Sequence, residues 1–322
     1  MLSLDRPIII LGSVRSGTTL LGNVLKQHPD ICYWEEPKHI WRHRHAYRRH
    51  DVLSAADATP AIKRYITTQF AQYLAASGKS RFLEKTPSNC LRVPFIRAIF
   101  PDALYIHLIR DGRASAVSAR VQWMNDFIVA NDQTQESGRT NTSLAAEEVA
   151  SGGWRGFQEA LFTIRKFLIE KRRLSGGVWT LLEAPAYLPD LLRVFARKLT
   201  RERSFVWGTR FPGIQEAHRT YSVLETCALQ WAFSVQSVRM NTRDLPASQY
   251  LELRYETLTH APVTTFEQIL TFAQLSPAPA VLELAARRIM PDRDPWRQVI
   301  TPSELQQLQG WIGPLLHELG YH

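Results

Sequence analysis

Cysteine is scarce in this chain of 322 residues, and its three cysteines, Cys32, Cys90 and Cys227, include no pair at CxxC spacing. Such a set argues against a disulfide framework or a zinc motif and favours reduced thiols in a core. Long apolar runs are missing too, because no stretch of the sequence approaches the roughly 18–20 residues that cross a bilayer. The first apolar stretch, residues 7–12, is too short for the core of a signal peptide. We therefore expect a cytoplasmic protein without stable membrane insertion.

The composition is otherwise that of an ordinary globular protein, with 45% hydrophobic and 21% charged residues. Lysine and arginine number 39 against 30 acidic residues, which gives a formal net charge of +9. A positive surplus concentrates anions around a protein, so it suits phosphorylated or sulfated small molecules, acidic glycans or nucleic acid without ranking them. The neighbouring histidines at 39, 43 and 45 have no cysteine or carboxylate partner at ligand spacing, so we expect no metal site.

Strand and helix patterns alternate along the sequence. Short apolar runs predict buried strands at residues 7–12 and 103–109, and residues 80–84 and 249–254 are shorter strand candidates. Apolar residues at helical spacing predict helices at residues 18–27, 62–76, 111–121, 156–172, 223–239 and 264–273. This alternation is typical of an α/β fold with a central parallel sheet flanked by helices. Residues 125–153 are polar and poor in aliphatics, and we expect them to open a substrate-side insertion over approximately 125–220 within a single domain, 1–322.

A glycine-bounded loop, Gly12-Ser-Val-Arg-Ser-Gly-Thr-Thr19, joins the first predicted strand to the first predicted helix. Backbone N–H groups and the helix dipole make such a junction a binding site for phosphate or sulfate. Thr18 and Thr19 follow the second glycine, where an ATP- or GTP-hydrolysing P-loop has lysine and then serine or threonine. The cation is Arg15, inside the loop. The pattern favours a ligand with one terminal anion and no metal; a tight turn without a ligand is the alternative.

A second motif, Arg110-Asp-Gly-Arg-Ala-Ser-Ala-Val-Ser118, lies at another predicted strand-to-helix junction. Ligands of doubly wound folds bind beyond the carboxyl ends of the strands, where Arg110 is expected. A guanidinium and a hydroxyl together can recognise a second phosphate. Alone, the Arg-Asp-Gly sequence is also a common turn. Two such junctions in one chain are harder to explain as turns.

These two motifs together make the sequence similar to the sulfotransferases that use 3′-phosphoadenosine 5′-phosphosulfate (PAPS). Their signatures are a 5′-phosphosulfate loop and a 3′-phosphate segment. The residues of these motifs are most similar to those of the tyrosylprotein and bacterial sulfotransferase branch. Further matches occur at His28-Pro29-Asp30, Glu35-Glu36, Lys85-Thr86-Pro87, Arg254-Tyr255-Glu256 and Leu319-Gly320-Tyr321. The resemblance implies a P-loop-type three-layer fold, in which the insertion is largely helical and faces the acceptor.

The resemblance also implies roles for individual residues. The 5′-phosphosulfate would be held by residues of the first motif: Arg15, Ser16, Gly17, Thr18 and Thr19. Arg110 and Ser118 would hold the 3′-phosphate, and Tyr255 would contribute to the nucleotide pocket. Lys85 would stabilise charge in the transition state. Glu36 would act as general base, with Glu35 as the second candidate. No metal is required, because the loop, Arg15 and Lys85 can cover the charge of the sulfuryl group.

The function implied is in-line transfer of a sulfuryl group from PAPS to an acceptor hydroxyl, or less readily to an amine. Secretory features of the tyrosylprotein enzymes, a membrane anchor and disulfides, are not visible here. We therefore expect a glycan, lipid or small metabolite as acceptor, rather than a protein tyrosine or a nucleic acid. Two alternatives stay open: a P-loop phosphotransferase, which the missing lysine disfavours, and a non-catalytic nucleotide-binding protein.

Overall fold

A computed structural model of the chain describes residues 4–132, 206–291 and 295–322. The chain divides into two compact units. The first comprises Met1–Trp41, Arg49–Trp123 and Val206–His322, and the second comprises Arg42–Arg48 and Met124–Phe205. Most of the expected insertion, including the helix predicted at 156–172, lies outside the described residues. No helix among the described ranges is both long enough and apolar enough to cross a membrane.

The first unit is built on a parallel sheet of five strands in the order β2-β3-β1-β4-β5. These strands are β1 (Ile8–Leu11), β2 (Ile31–Glu35), β3 (Arg81–Lys85), β4 (Leu104–Ile109) and β5 (Tyr250–Arg254). All neighbouring strands pair in parallel. Their carboxyl ends therefore meet at one edge, where Glu35 pairs with Lys85 and Ile109 pairs with Arg254. The predicted α/β class and parallel sheet are confirmed.

Helices cover both faces of this sheet. Before the undescribed segment they are α1 (Thr18–Leu25), α2 (Lys38–Trp41), α3 (Pro60–Ser77), α4 (Val93–Ile99) and α5 (Gly112–Asp132). After it they are α6 (Ile214–Thr220), α7 (Val223–Thr242), α8 (Tyr255–His260), α9 (Pro262–Phe272), α10 (Pro279–Arg288) and α11 (Pro302–Glu318). Short 3₁₀ helices lie at Ala55–Asp57, Pro87–Leu91 and Pro295–Gln298.

Two apolar clusters hold the layers together. In one cluster, side chains of β1 and β4 such as Ile8 and Ile106 pack against α1, α9 and α10, through residues such as Leu21 and Phe266. In the other, Ile109 packs with α5, α7 and α11. Each fully buried aliphatic side chain contributes about 1.5–3 kcal/mol relative to exposure. This burial on both faces fixes the strand ends that carry the functional residues.

Several elements differ from the sequence predictions. Helices α2, α4, α6, α8, α10 and α11 were not predicted. Strand β2 was not predicted, although Ile31, Tyr33 and Trp34 are residue types that favour strands; it is short, lies at one side of the sheet and ends in the exposed Glu35. Helix α5 runs to Asp132, beyond the predicted end at residue 121 and into the polar segment 125–153 that was expected to open the insertion. No glycine or proline interrupts the sequence between Gly112 and Asp132, so nothing there stops the helix.

Candidate active site

The loop after β1 turns sharply before it enters α1. Arg15 and Gly17 both adopt left-handed backbone conformations, with φ of 64° and 91°. A side chain at Gly17 would place its Cβ 2.5 Å from the Tyr255 ring, so the loop requires glycine there. The Ser16 hydroxyl donates to Ser13 O at 2.7 Å, and no side chain of the described residues caps the start of α1 at Gly17. The first turn of α1 therefore presents its N–H groups and positive dipole end at this point.

The two sequence motifs meet in space. Arg15 Nε donates to Ser118 Oγ at 3.0 Å, and Arg110 Nη1 donates to Arg15 O at 3.2 Å. The Arg110 guanidinium also lies over the Tyr255 ring, 4.4 Å from its centroid. The structure thus brings together four of the expected nucleotide-binding residues beside the loop. Two guanidinium groups beside a helix N-terminus form a strongly anion-attracting site.

The turn that carries Arg110 is held from behind by α7. Trp231 Nε1 donates to Arg110 O at 3.0 Å, and its ring packs so closely on Gly112 that an added Cβ would lie 2.7 Å from it. One residue on, Arg113 binds Asp111 through several bonds, the shortest at 2.7 Å. These contacts fix the backbone between β4 and α5, so the position of the Arg110 guanidinium is set by rigid elements rather than by a mobile loop.

Lys85 lies at the end of β3 with a side chain that is only 2% exposed. Its ammonium donates to Thr19 Oγ1 at 2.8 Å, Glu36 Oε1 at 2.8 Å and Glu35 Oε1 at 3.2 Å. Three acceptors match the three N–H donors of an ammonium, so the buried charge is fully paired. Lys85 is therefore not a solvated lysine at a strand end; it joins the loop to the acidic pair.

Glu36 follows β2 in a left-handed conformation with φ of 52°, an uncommon state for a residue with a side chain. Its backbone N–H donates to Lys85 O at 2.9 Å, which holds the turn in place. Lys85 binds one carboxylate oxygen, and the exposed Lys38 binds the other at 2.6 Å. Burial raises the pKa of the Glu36 carboxyl, but Lys38 and Lys85 outweigh it and bring the pKa below its usual range. The carboxylate is thus ionised at neutral pH.

A buried acid supports the strand end from the opposite side. Glu84 is completely buried and accepts hydrogen bonds from Trp41 Nε1 at 2.9 Å and Asn89 Nδ2 at 2.7 Å, and also from the Thr86 hydroxyl. Burial raises the pKa of its carboxyl to about 7, although the hydrogen bonds from Thr86 and Trp41 lower it. The network fixes Thr86 and the 3₁₀ helix Pro87–Leu91, in which Cys90 Sγ accepts the Gly12 N–H at 3.2 Å.

Sequence reasoning missed two features of this site. Lys38 was not singled out, although its spacing of two residues from Glu36 beyond Pro37 was a usable signal. The contact of Cys90 with the loop has no such signal, because it depends on packing between distant segments. His107 is buried within β4, where Nδ1 forms a hydrogen bond with Tyr250 Oη at 2.8 Å. Among residues 4–132, 206–291 and 295–322, no group of histidine, cysteine or carboxylate side chains is arranged to hold a metal.

Comparison with known proteins identifies similar sequences. The family model described as "Sulfotransferase family" matches residues 7–161. "Nodulation protein NoeE" of Sinorhizobium fredii is 32% identical over 134 residues, covering 37% of this chain and 32% of the relative. "Protein-tyrosine sulfotransferase A" of Caenorhabditis elegans is 30% identical over 139 residues, covering 38% of this chain and 37% of the relative. The chain thus spans about a third of the length of these curated relatives.

Comparison with solved structures also finds proteins with a similar backbone. The sulfotransferase domain from the curacin biosynthetic pathway is 16% identical, covers 99% of both chains and superimposes with a TM-score of 0.48. The sulfotransferase domain of the Synechococcus PCC 7002 olefin synthase is 16% identical, covers 96% of this chain and 94% of its own, and has a TM-score of 0.47.

Proposed function

We propose that this chain, whose residues 7–161 match the sulfotransferase family model, transfers a sulfuryl group from PAPS to an acceptor hydroxyl. One observation carries the proposal: Arg15 Nε donates to Ser118 Oγ at 3.0 Å, and this joins the two anion-binding motifs in one site. PAPS carries a phosphosulfate on the 5′ position of its ribose and a phosphate on the 3′ position. It therefore needs two neighbouring anion-binding sites of this kind.

The residues at this edge of the sheet fit that donor. We assign the 5′-phosphosulfate to the loop of Arg15, Ser16, Gly17, Thr18 and Thr19, since no described side chain caps the start of α1. The 3′-phosphate falls to Arg110 and Ser118. Tyr255, stacked under Arg110 at 4.4 Å and against Gly17, supplies a flat apolar wall for the nucleotide. None of these assignments requires a bound metal.

The bound donor supplies the sulfuryl group; the residues of the chain supply proton transfer and charge stabilisation. As the acceptor oxygen attacks sulfur, a new S–O bond forms and the bond from sulfur to the bridging phosphate oxygen breaks. Glu36 accepts the proton of the acceptor hydroxyl during this step, since a carboxylate is too weak a base to remove it beforehand. Adenosine 3′,5′-bisphosphate leaves with the bridging oxygen, whose growing charge Lys85 neutralises.

The position of Lys85 supports this assignment. Its ammonium already contacts Thr19 of the loop at 2.8 Å and Glu36 at 2.8 Å. A cation placed between the loop and the base can shift from the Glu36 carboxylate toward the negative charge that develops at the loop with only a small movement. The buried surroundings of Lys85 strengthen its electrostatic effect relative to that of a solvated group.

The acceptor is proposed only as a hydroxyl compound, with glycans, lipids and small metabolites as the classes to test. The site offers a base, Glu36, beside an exposed lysine, Lys38, whose side chain is 59% exposed. The names of two curated relatives refer to nodulation in one case and to the sulfation of protein tyrosine in the other. These names do not define the acceptor of this chain.

A labelling experiment tests the proposal. The purified protein is incubated with ³⁵S-labelled PAPS and a panel of glycans, lipids and cell-extract metabolites, and the labelled products are separated and identified. Wild type is expected to label an acceptor, and Lys85→Met to lower turnover by about 10²–10³-fold. Lys79→Met is a matched control, since Lys79 precedes β3 and lies at the opposite end of that strand from Lys85.

Two outcomes would contradict the proposal. Mg²⁺-dependent turnover of ATP, without sulfate transfer, would indicate a phosphotransferase. Tight binding of PAPS without transfer to any acceptor in the extract would indicate a nucleotide-binding protein that is not an enzyme.

A further inference from the structure

The peptide group that follows Arg110 is bound at both of its polar atoms. Its carbonyl, Arg110 O, accepts from Trp231 Nε1 at 3.0 Å. Its N–H, which belongs to Asp111, donates to Glu256 Oε1 at 3.0 Å. A peptide held at both ends cannot rotate without breaking a hydrogen bond, so the direction in which Arg110 leaves the backbone is fixed from two sides.

The second oxygen of Glu256 is held in turn by residues near position 320. Tyr321 Oη donates to Glu256 Oε2 at 2.9 Å. The Tyr321 ring lies under the Arg254 guanidinium at 5.0 Å, and Arg254 also donates to Leu319 O. Gly320 turns the chain between these contacts with φ of 72°. Glu256 is thus fixed in one orientation by a short segment, residues 319–321, that has no direct part in the proposed chemistry.

Arg113 adds a further connection between the same two regions. Its guanidinium binds Asp111 at 2.7 Å and donates to His322 O at 2.9 Å. The turn after β4 therefore contacts residues 319–322 both through Glu256 and through Arg113. Both connections end at Asp111, whose N–H belongs to the same peptide group as the Arg110 carbonyl.

We propose that Glu256, held by Tyr321, is a positioning residue that sets the Arg110 guanidinium for recognition of the 3′-phosphate. This inference rests on the proposed function, because it needs Arg110 to bind that phosphate. Glu256 makes no contact with the phosphate in this role. Its effect passes through the Arg110–Asp111 peptide and is therefore specific to nucleotides that carry a 3′-phosphate.

The test compares two nucleotides on the same protein by isothermal titration calorimetry. Adenosine 3′,5′-bisphosphate contains the 3′-phosphate, and adenosine 5′-phosphate lacks it. In Glu256→Ala the Kd of the bisphosphate is expected to rise about three- to tenfold, as for the loss of one orienting hydrogen bond, while the Kd of the monophosphate changes less than about twofold. Tyr321→Phe, which removes only the hydroxyl, is expected to change the same ratio in the same direction.

Two further variants separate positioning from general stability. Glu256→Gln keeps an oxygen that can accept the Asp111 N–H, so it is expected to recover most of the preference for the bisphosphate. Glu267→Ala, an exposed acid on α9, is the matched control and is expected to leave both affinities unchanged. If Glu256→Ala does not fold, as judged by its Tm, Tyr321→Phe and Glu256→Gln carry the test.

The outcomes are distinguishable. Equal weakening of both nucleotides, or no weakening of either, would overturn the positioning role while leaving the donor site intact. If wild type itself binds the two nucleotides equally well, the proposed 3′-phosphate site is wrong and the positioning role fails with it.

Discussion

Arg15 and Ser118 are 103 residues apart in the sequence, yet Arg15 Nε donates to Ser118 Oγ at 3.0 Å. Arg15 belongs to the loop before α1, and Ser118 lies within α5. The bond spans the ends of the adjacent strands β1 and β4, so the sheet itself brings the two anion-binding motifs together. It follows that a substitution in one motif should also change the affinity for ligands that bind the other motif.

Arg110 is expected to discriminate between nucleotides. Replacing it by alanine removes a charge-assisted contact, which typically contributes about 1.5–3 kcal/mol. Arg110→Ala should therefore raise the Kd of adenosine 3′,5′-bisphosphate by about 10- to 100-fold and affect adenosine 5′-phosphate much less. Isothermal titration calorimetry measures both values. Arg287→Ala on α10, an exposed arginine, serves as control, and a similar loss there would show that only net charge matters.

The sequence predicted the parts of this site that depend on strands. Arg15, Lys85 and Arg110 each follow or end a predicted strand, and the carboxyl ends of parallel strands necessarily share an edge. Turn conformations and side-chain pairs were not predictable in this way. The left-handed backbone of Glu36 has no local signal, since glutamate has no preference for that state.

The burial of Lys85 is a second feature of the site that could not be predicted from the sequence. At the end of a strand, a lysine can equally be solvated, and the acidic partners that allow its burial come from the end of the edge strand β2 and the residue after it. Strand β2 was itself missed, although its Ile31, Tyr33 and Trp34 are residue types that favour strands. The fold class could thus be predicted from the sequence, whereas the ion pairs of the site required the order of the strands.

Glu36 and Glu35 can be separated by kinetics. Both bind Lys85, but the Glu36 side chain is 28% exposed and that of Glu35 is 45% exposed. If Glu36 is the base, Glu36→Gln should lower turnover by about 10²–10⁴-fold, the usual contribution of a general base. The Kd of adenosine 3′,5′-bisphosphate should stay nearly constant. Glu35→Gln is the matched variant with a smaller effect; the reverse order of effects would assign the proton transfer to Glu35.

The pH profile of turnover should report on Lys38. The two lysines hold the pKa of Glu36 below its usual range, so the base stays ionised and turnover should persist to pH values below an ordinary glutamate pKa. Lys38→Met removes one of the two cations, and the acid limb of the kcat profile should then move to higher pH. Lys63→Met, on α3, is the control. An unchanged acid limb in Lys38→Met would mean that another group limits turnover in acid.

Glu84 should make the stability of the protein depend on pH. Burial raises the pKa of its carboxyl to about 7 from an ordinary value of 4.5. Between these two pH values the unfolded chain loses the proton while the folded protein keeps it, so folding is disfavoured increasingly up to pH 7 and by a constant amount above it. A shift of this size corresponds to a loss on the order of 3 kcal/mol.

Glu84→Gln isolates this contribution, because glutamine has the same shape and does not titrate. Asn89 can turn its amide to accept from the new side chain, since its Oδ1 has no hydrogen-bond partner among the described residues. The free energy of unfolding, measured in urea at about pH 5 and about pH 8, on either side of the raised pKa, should therefore fall more in wild type than in Glu84→Gln. Glu283→Gln, at an exposed position on α10, should behave as wild type. If wild type and Glu84→Gln lose the same stability between the two pH values, Glu84 is ionised in the folded protein throughout, and the neighbouring cations Lys85 and Arg92 outweigh its burial.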